Sequence, residues 1–100
     1  MAKKTSKNND FLYIAREKSS KKVYDIILNL VNNDKEDLAK EVMKIDYILE
    51  YTSTCIKQKD FKEAKESINR ATERINNLKN NGVNIEHLEY LRDGIKKKIK

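Results

Sequence analysis

Residues 35–80 read KEDLAKEVMKIDYILEYTSTCIKQKDFKEAKESINRATERINNLKN, and this stretch decides the fold. It contains two runs in which mostly apolar residues follow one another at intervals of three and four positions in turn. This is the spacing of residues on one face of an α-helix. The first run predicts a helix over about residues 35–58, with an inner face of Leu38, Val42, Ile45, Leu49, Thr52 and Ile56. The second run predicts a helix over 61–80, with an inner face of Phe61, Ala64, Ile68, Ala71, Ile75 and Leu78.

The two helices are joined by a short polar link, residues 57–59. Asp60 is the predicted N-cap of the second helix, with Glu63 at the third helical position as in a capping box. Gly82 follows two asparagines and suits the left-handed position just after a helix end. Because short links join antiparallel neighbours, the sequence predicts a central helical hairpin.

Both flanks of the hairpin also have helical spacing. Downstream, Asn84 is the predicted N-cap of a helix with the inner face Ile85, Leu88, Leu91 and Ile95. Upstream, an apolar face precedes the predicted stop at residues 32–33 and comprises Val23, Ile26, Ile27, Leu30 and Val31. Residues 16–22 contain no apolar side chain. We predict one long helix through them, because nothing forces a break; the alternative is that Ser20 caps a second helix and residues 10–18 form a short separate arm. The fold class is therefore all-α, a small antiparallel three- or four-helix bundle.

The composition fits this fold, because the 100 residues include no proline and only two glycines. The net charge of +6 is concentrated at the two ends, which leaves the body close to neutral. We therefore predict a basic flexible N-terminal tail over residues 1–9, a helical bundle domain over 10–93, and a basic C-terminal tail or frayed helix end over 94–100.

Several functional classes are disfavoured. No apolar run approaches the roughly 18 residues of a membrane span, no secretory signal is recognisable, and the single cysteine cannot form an internal disulfide. These features predict a cytoplasmic protein. One histidine, His87, and one cysteine, Cys55, are too few for a zinc site, and no Glu-x-x-His pair or glycine-rich phosphate loop occurs. We expect no enzymatic activity, no cofactor, no metal and no small-molecule substrate.

One stretch resembles a known repeat. Residues 57–64, KQKDFKEA, followed by Ala71, resemble the turn and second helix of a tetratricopeptide repeat. Thr52, in the preceding helix, stands where that family favours glycine. Since about three repeats are needed for a stable solenoid, one copy predicts a tight helical hairpin and no membership of the repeat family.

Two functional hypotheses remain. The first is a non-catalytic protein-interaction or regulatory protein that acts through helix faces and binds a protein partner or forms a homodimer. Its candidate partner-binding residues are the aromatic side chains Phe11, Tyr13, Tyr47 and Tyr51.

The alternative is a nucleic-acid-binding accessory protein. Its candidate phosphate-binding residues are Lys3, Lys4, Lys7, Arg70, Arg74, Lys96, Lys97, Lys98 and Lys100. The neutral body and the acidic residues on the helix of Arg70 and Arg74 argue against the alternative.

Overall fold

The computed structural model describes residues 12–100, and within that range the chain forms helices and turns without strands. The all-α class is therefore confirmed. The helices are α1 over residues 12–18, α2 Lys21–Asn32, α3 Glu36–Lys57, α4 Phe61–Asn80 and α5 Glu86–Lys96. None of the helices in this part of the chain combines the length and apolar character that a membrane span requires.

A break at Ser19-Ser20 separates α1 from α2, so the prediction of one continuous first helix is wrong. The alternative is correct in that Ser20 caps a second helix, and the described part of the short segment before it is the helix over residues 12–18. Ser20 has an extended backbone, φ −66° and ψ 162°, and its Oγ accepts the Val23 backbone N–H at 3.4 Å. The hydroxyl thereby satisfies one of the free N–H groups of the first turn of α2. With this break, residues 12–100 contain five helices, whereas a bundle of three or four was predicted.

The chain divides into two compact units, one ending at Met43 and the other comprising Lys44–Lys100, and the boundary falls within α3. In the described part of the first unit, the buried apolar residues are Ala15, Val23, Ile27, Leu30, Val31, Ala39 and Val42. In the second unit they are Ile45, Leu49, Cys55, Ala64, Ile68, Ala71, Ile75, Leu78, Ile85 and Leu88.

A single heptad stripe does not account for which residues of α3 are buried along its whole length. The predicted buried stripe begins at Leu38 and ends at Ile56, but both residues are only half-buried. Their neighbours Ala39 and Cys55 are buried instead. A strict heptad drifts by roughly 20° per repeat on a straight α-helix, and the two halves of α3 pack in different units. The predicted stripe of α4 is buried from Ala64 to Leu78, with Phe61 half-buried.

In the second unit, a buried pair of hydroxyl groups joins α3 to α4. Thr52 Oγ1 and Ser67 Oγ lie 2.6 Å apart, and both residues are almost inaccessible to solvent. The Ile48 carbonyl oxygen accepts from this pair: it lies 2.8 Å from Thr52 Oγ1 and 3.4 Å from Ser67 Oγ, and either hydroxyl can donate the bond between the two side chains. The small serine allows this close approach while both hydroxyl groups stay satisfied. Within the same unit, α4 also packs against α5.

The ends of α2, α3 and α4 share one pattern, the Schellman motif. A left-handed residue follows each helix: Asp34 at φ 61°, Lys59 at φ 62° and Gly82 at φ 80°. In each case two backbone hydrogen bonds close the turn, as for Asp60 N–H to the Cys55 carbonyl at 2.8 Å and Lys59 N–H to the Ile56 carbonyl at 2.9 Å. The prediction that Gly82 occupies this position is confirmed.

Lys59→Gly is expected to raise the free energy of unfolding by about 1 kcal/mol, because a side chain disfavours the left-handed region by roughly that amount. Gly82→Ala is the reversed control and should lower it by about 1 kcal/mol. A Cβ at position 82 would meet nothing within 4 Å, so the effect there comes from the backbone alone. Urea denaturation followed by circular dichroism measures both, and a loss of stability in Lys59→Gly would contradict the assignment.

The boundaries of α5 differ slightly from prediction. The N-cap is Ile85, one residue after the predicted Asn84, although Asn84 Oδ1 accepts the Glu86 N–H at 3.1 Å. The helix continues through Gly94 to Lys96, and residues 97–98 form a turn. The first residues of the predicted C-terminal tail, 94–96, are therefore helical.

Candidate interaction surface

Two tyrosines one turn apart on α3 form the most prominent candidate surface of the second unit. Tyr47 is 69 % exposed and Tyr51 is 38 % exposed. Lys44, one turn before Tyr47, is also exposed. We call Lys44, Tyr47 and Tyr51 the tyrosine ridge. The tyrosines face solvent because the adjacent positions Ile45, Leu49 and Thr52 occupy the buried face of the same helix.

The ring of Tyr51 is fixed by the start of α4. Asp60 caps that helix, accepting the Glu63 backbone N–H at 3.3 Å, and this orients the first turn. The Tyr51 hydroxyl donates to Glu63 Oε2 at 2.8 Å. The capping box predicted from Asp60 and Glu63 is therefore half-realised: Asp60 caps, while the Glu63 carboxylate accepts from a side chain of the neighbouring helix.

The hydrogen bond to Glu63, and next the neighbouring Cys55 thiol, raise the pKa of Tyr51 above its ordinary value. A tyrosinate could not donate to the carboxylate and would be repelled by it. Because the folded-state pKa is the higher one, this contribution to stability is complete below the unfolded pKa of about 10. It is lost as pH rises through the folded-state pKa.

We expect Tyr51 to ionise at higher pH than a free tyrosine. Subtracting the absorbance titration of Tyr51→Phe at 295 nm from that of the parent chain isolates this residue. The midpoint of the difference curve should lie above the ordinary value of about 10, and Glu63→Gln should lower it. A difference curve centred near 10 in the parent chain would mean that the hydrogen bond does not persist in solution.

Of the other two predicted partner-binding residues, Tyr13 is in the part of the chain that the structure describes. Tyr13 on α1 is 66 % exposed and Ile14 is 45 % exposed, whereas Ala15 is fully buried. Phe11 lies outside the described residues. The structure thus brings Tyr47 and Tyr51 together on one helix face of the second unit, whereas Tyr13 lies in the first unit.

The described members of the predicted phosphate-binding set lie on α4 and on the end of α5 with the residues that follow it. Lys3, Lys4 and Lys7 lie outside the described residues. On α4, Arg70 is exposed, whereas Arg74 is half-buried and already interacts with a neighbouring group. The remaining lysines are exposed at the end of α5 and beyond it: Lys96, Lys97, Lys98 and Lys100.

Sequence reasoning missed a cationic groove in the second unit. Phe61, Lys62, Lys65, Glu66, Asn69 and Lys100 surround an open groove of about 360 Å³. We call it the Phe61 groove. A sequence signal existed, because Lys62 and Lys65 are one turn apart on the outer face of α4. Only Lys100 of these residues was predicted to bind phosphate.

A second missed feature is on α5. Tyr90 is 73 % exposed, and its ring stacks on His87 with centroids 6.1 Å apart and planes inclined by 22°. Helical spacing could have predicted this pair. Residues 87 and 90 are three positions apart and lie outside the apolar stripe that contains Leu88 and Leu91, so both are expected to face away from the core. Tyr90 is therefore an additional exposed aromatic residue for which the sequence analysis assigned no role.

Cys55 is 4 % exposed and unbonded to another cysteine. Over residues 12–100, no three His, Cys, Asp or Glu side chains are grouped so that they could hold a metal ion.

Comparison of the chain with protein-family models, with curated proteins and with solved structures gives no match. Function is therefore inferred from the residues of this chain alone.

Proposed function

We propose that this chain is a non-catalytic interaction protein that binds a protein partner, or a second copy of itself, through the tyrosine ridge. The observation that carries the proposal is the exposure of Tyr47 and Tyr51, at 69 % and 38 %, on adjacent turns of α3. Tyrosine is enriched at the centres of protein interfaces, where its ring is buried and its hydroxyl finds a partner. A cytoplasmic, regulatory role of this kind fits the sequence features described above.

The fixed geometry of Tyr51 supports this role. Its hydroxyl is held 2.8 Å from Glu63 Oε2, so less side-chain freedom is lost when a partner covers the ring. Ordering a mobile side chain on binding costs roughly 0.5–1.5 kcal/mol. Tyr47 carries no such contact among those described and is the more exposed of the two tyrosines.

We further propose that α4 and the second half of α3 form an antiparallel hairpin, which carries the tyrosine ridge. The support is local. The connection at residues 58–60 is short, and Thr52 and Tyr51 reach Ser67 and Glu63 across the two helices. Such a hairpin would hold the ridge on an element stabilised by a buried core.

A photo-crosslinking amino acid at position 47 tests the function directly. The full chain carrying it is expressed in its native cells and irradiated, and the products are identified by mass spectrometry. We expect one dominant crosslinked protein, either a partner or this chain itself. The matched control carries the crosslinker at Asn76, an exposed position on α4 that lies outside the ridge and the Phe61 groove. Equal products from both positions, or none from position 47, would refute the role of the ridge.

The second candidate function is nucleic-acid binding, and the Phe61 groove is the observation that favours it. Three lysines, Lys62, Lys65 and Lys100, surround a half-buried phenylalanine there, and cations beside an aromatic ring suit a single strand. Fluorescence anisotropy of labelled single- and double-stranded nucleic acid at about 50 and 200 mM salt tests it. Binding that persists at the higher salt and is lost in Lys62→Gln/Lys65→Gln would support this function. Binding that is unchanged in that variant would exclude the groove.

A further inference from the structure

The tyrosine ridge has a cation at one end and a carboxylate beside the other. Lys44 lies one turn before Tyr47 on α3 and is exposed. At the opposite end, the Glu63 carboxylate of α4 accepts the hydrogen bond of the Tyr51 hydroxyl at 2.8 Å and is therefore held beside that ring. The order along this surface is an ammonium, two aromatic rings and a carboxylate. Such a surface is complementary to a copy of itself that is turned end to end.

The position of Glu63 along α3 follows from the buried contact between α3 and α4. Thr52 Oγ1 and Ser67 Oγ lie 2.6 Å apart, so these two residues are at the same level. Glu63 precedes Ser67 by one turn. Because α4 runs antiparallel to α3 in the proposed hairpin, Glu63 is level with the turn of α3 that follows Thr52. The carboxylate therefore lies beyond Tyr51 as seen from Lys44.

Two copies of α3 that pack antiparallel bring the opposite charges together. When Tyr47 of one copy lies opposite Tyr51 of the second copy, Lys44 lies opposite the position three residues after Tyr51, which is Thr54. Glu63 of the second copy is within about 3 Å of that level, at a rise of 1.5 Å per residue. The flexible stem of a lysine spans such an offset. The bond from Tyr51 uses one of about four acceptor sites of a carboxylate, so Glu63 can also accept from an ammonium.

We propose that the tyrosine ridge binds a second copy of this chain. The two chains form a two-fold symmetric dimer, in which α3 packs antiparallel against α3, Tyr47 against Tyr51 and Lys44 against Glu63. Two-fold symmetry makes each contact twice. The aromatic rings supply the buried area, and the charge pairs fix the register. This inference rests on the proposed function and selects a second copy over an unrelated partner, because the charge order of the ridge is complementary to itself.

Sedimentation equilibrium of the full chain from about 1 to about 300 µM measures the dimer. We expect the mass to rise with concentration from the 11.8 kDa of one chain toward twice that value. The dissociation constant should be about 1–100 µM, because a small interface holds its partner weakly. A chain that remains monomeric at about 300 µM would overturn the proposal.

Charge reversal tests the register. Lys44→Glu places two acids opposite each other at both ends of the interface, and Glu63→Lys places two cations there. Each variant alone should therefore dimerise at least about tenfold more weakly than the parent chain. Mixed in equal amounts, the two variants should recover most of the parent affinity as a heterodimer, because opposite charges then face each other at both ends. Glu63→Lys also loses the bond from Tyr51, but that loss is the same with and without the mixing partner.

Glu73→Lys is the matched control for the charge reversals. Glu73 is an exposed acid further along α4 and makes the same change of charge. Its dimer should stay within about twofold of the parent affinity, and a mixture of Glu73→Lys with Lys44→Glu should show no recovery. Circular dichroism verifies that each variant is folded.

The outcomes separate this inference from the proposed function. A monomeric parent chain that still yields one foreign protein from the crosslinker at position 47 would overturn the dimer and leave the ridge as an interaction surface. A monomeric chain without a crosslinked product would overturn both. If Lys44→Glu and Glu63→Lys dimerise as well as Glu73→Lys, or if their mixture does not recover affinity, the assigned contacts are wrong.

Discussion

Leu78→Ala is expected to lower the free energy of unfolding by about 3 kcal/mol, the largest stability effect that we predict. Leu78 is fully buried in the last turn of α4, the helix that packs against α5. Truncation removes buried methyl groups and leaves a cavity, and such changes cost roughly 2–5 kcal/mol. This is a large share of the 5–15 kcal/mol that stabilises a typical domain.

The change acts on packing and leaves the helix end intact. The Leu78 backbone carbonyl accepts the Val83 N–H at 3.1 Å, and alanine keeps that carbonyl. Urea denaturation of the full chain measures the effect. Lys79→Ala is the matched control, because Lys79 is the exposed neighbour in the same turn and should change stability by no more than about 0.5 kcal/mol. A Leu78→Ala chain as stable as this control would mean that Leu78 is not buried in solution.

The result also bears on how far the sequence predicted the fold. The stripe that contains Leu78 was predicted because one helix with one buried face obeys a simple period. Asp60 and Gly82 were predicted because a capping carboxylate and a left-handed glycine are each favoured locally, whatever surrounds them. Each of these features depends on only a few neighbouring residues, and each feature is present in the structure.

The misses have a different physical origin. Ser20 ends the predicted first helix through a single hydrogen bond to Val23 at 3.4 Å. Serine also occurs within helices, so propensity alone does not distinguish a cap from an interior residue. The groove between Arg16 and Asp25 follows from that break and could not be predicted without it. The partial burial of Leu38 and Ile56 reflects tertiary packing of the two halves of α3, which periodicity does not encode.

Only part of the candidate surface could be predicted, because the rest of it depends on tertiary packing. Tyr47 and Tyr51 were recognised because an i,i+4 pair lies on one helix face whatever the tertiary structure. The contact of Tyr51 with Glu63 joins two helices and required their packing. Tyr90 and the Phe61 groove combine residues whose exposure depends on which faces of α4 and α5 are covered.

Tyr47→Ala is expected to weaken binding of the protein captured at position 47 by about 30-fold or more, or roughly 2 kcal/mol, the loss typical of a central aromatic residue. If the captured protein is this chain itself, the same loss appears as a shift from dimer to monomer in sedimentation. Tyr51→Phe keeps the ring and removes the bond to Glu63. It should weaken binding only several-fold, because it restores side-chain freedom without removing contact area.

Tyr90→Ala is the control for this prediction, since Tyr90 is equally exposed but lies on α5. It should leave the affinity unchanged within about twofold, as rim or non-interface residues do. Tyr47 is not buried, so its truncation should not unfold the chain, and a loss of binding can be attributed to the surface. Equal affinity of Tyr47→Ala and the parent chain would exclude the ridge as the binding surface. A loss confined to Tyr90→Ala would move the interface to the His87–Tyr90 stack of α5.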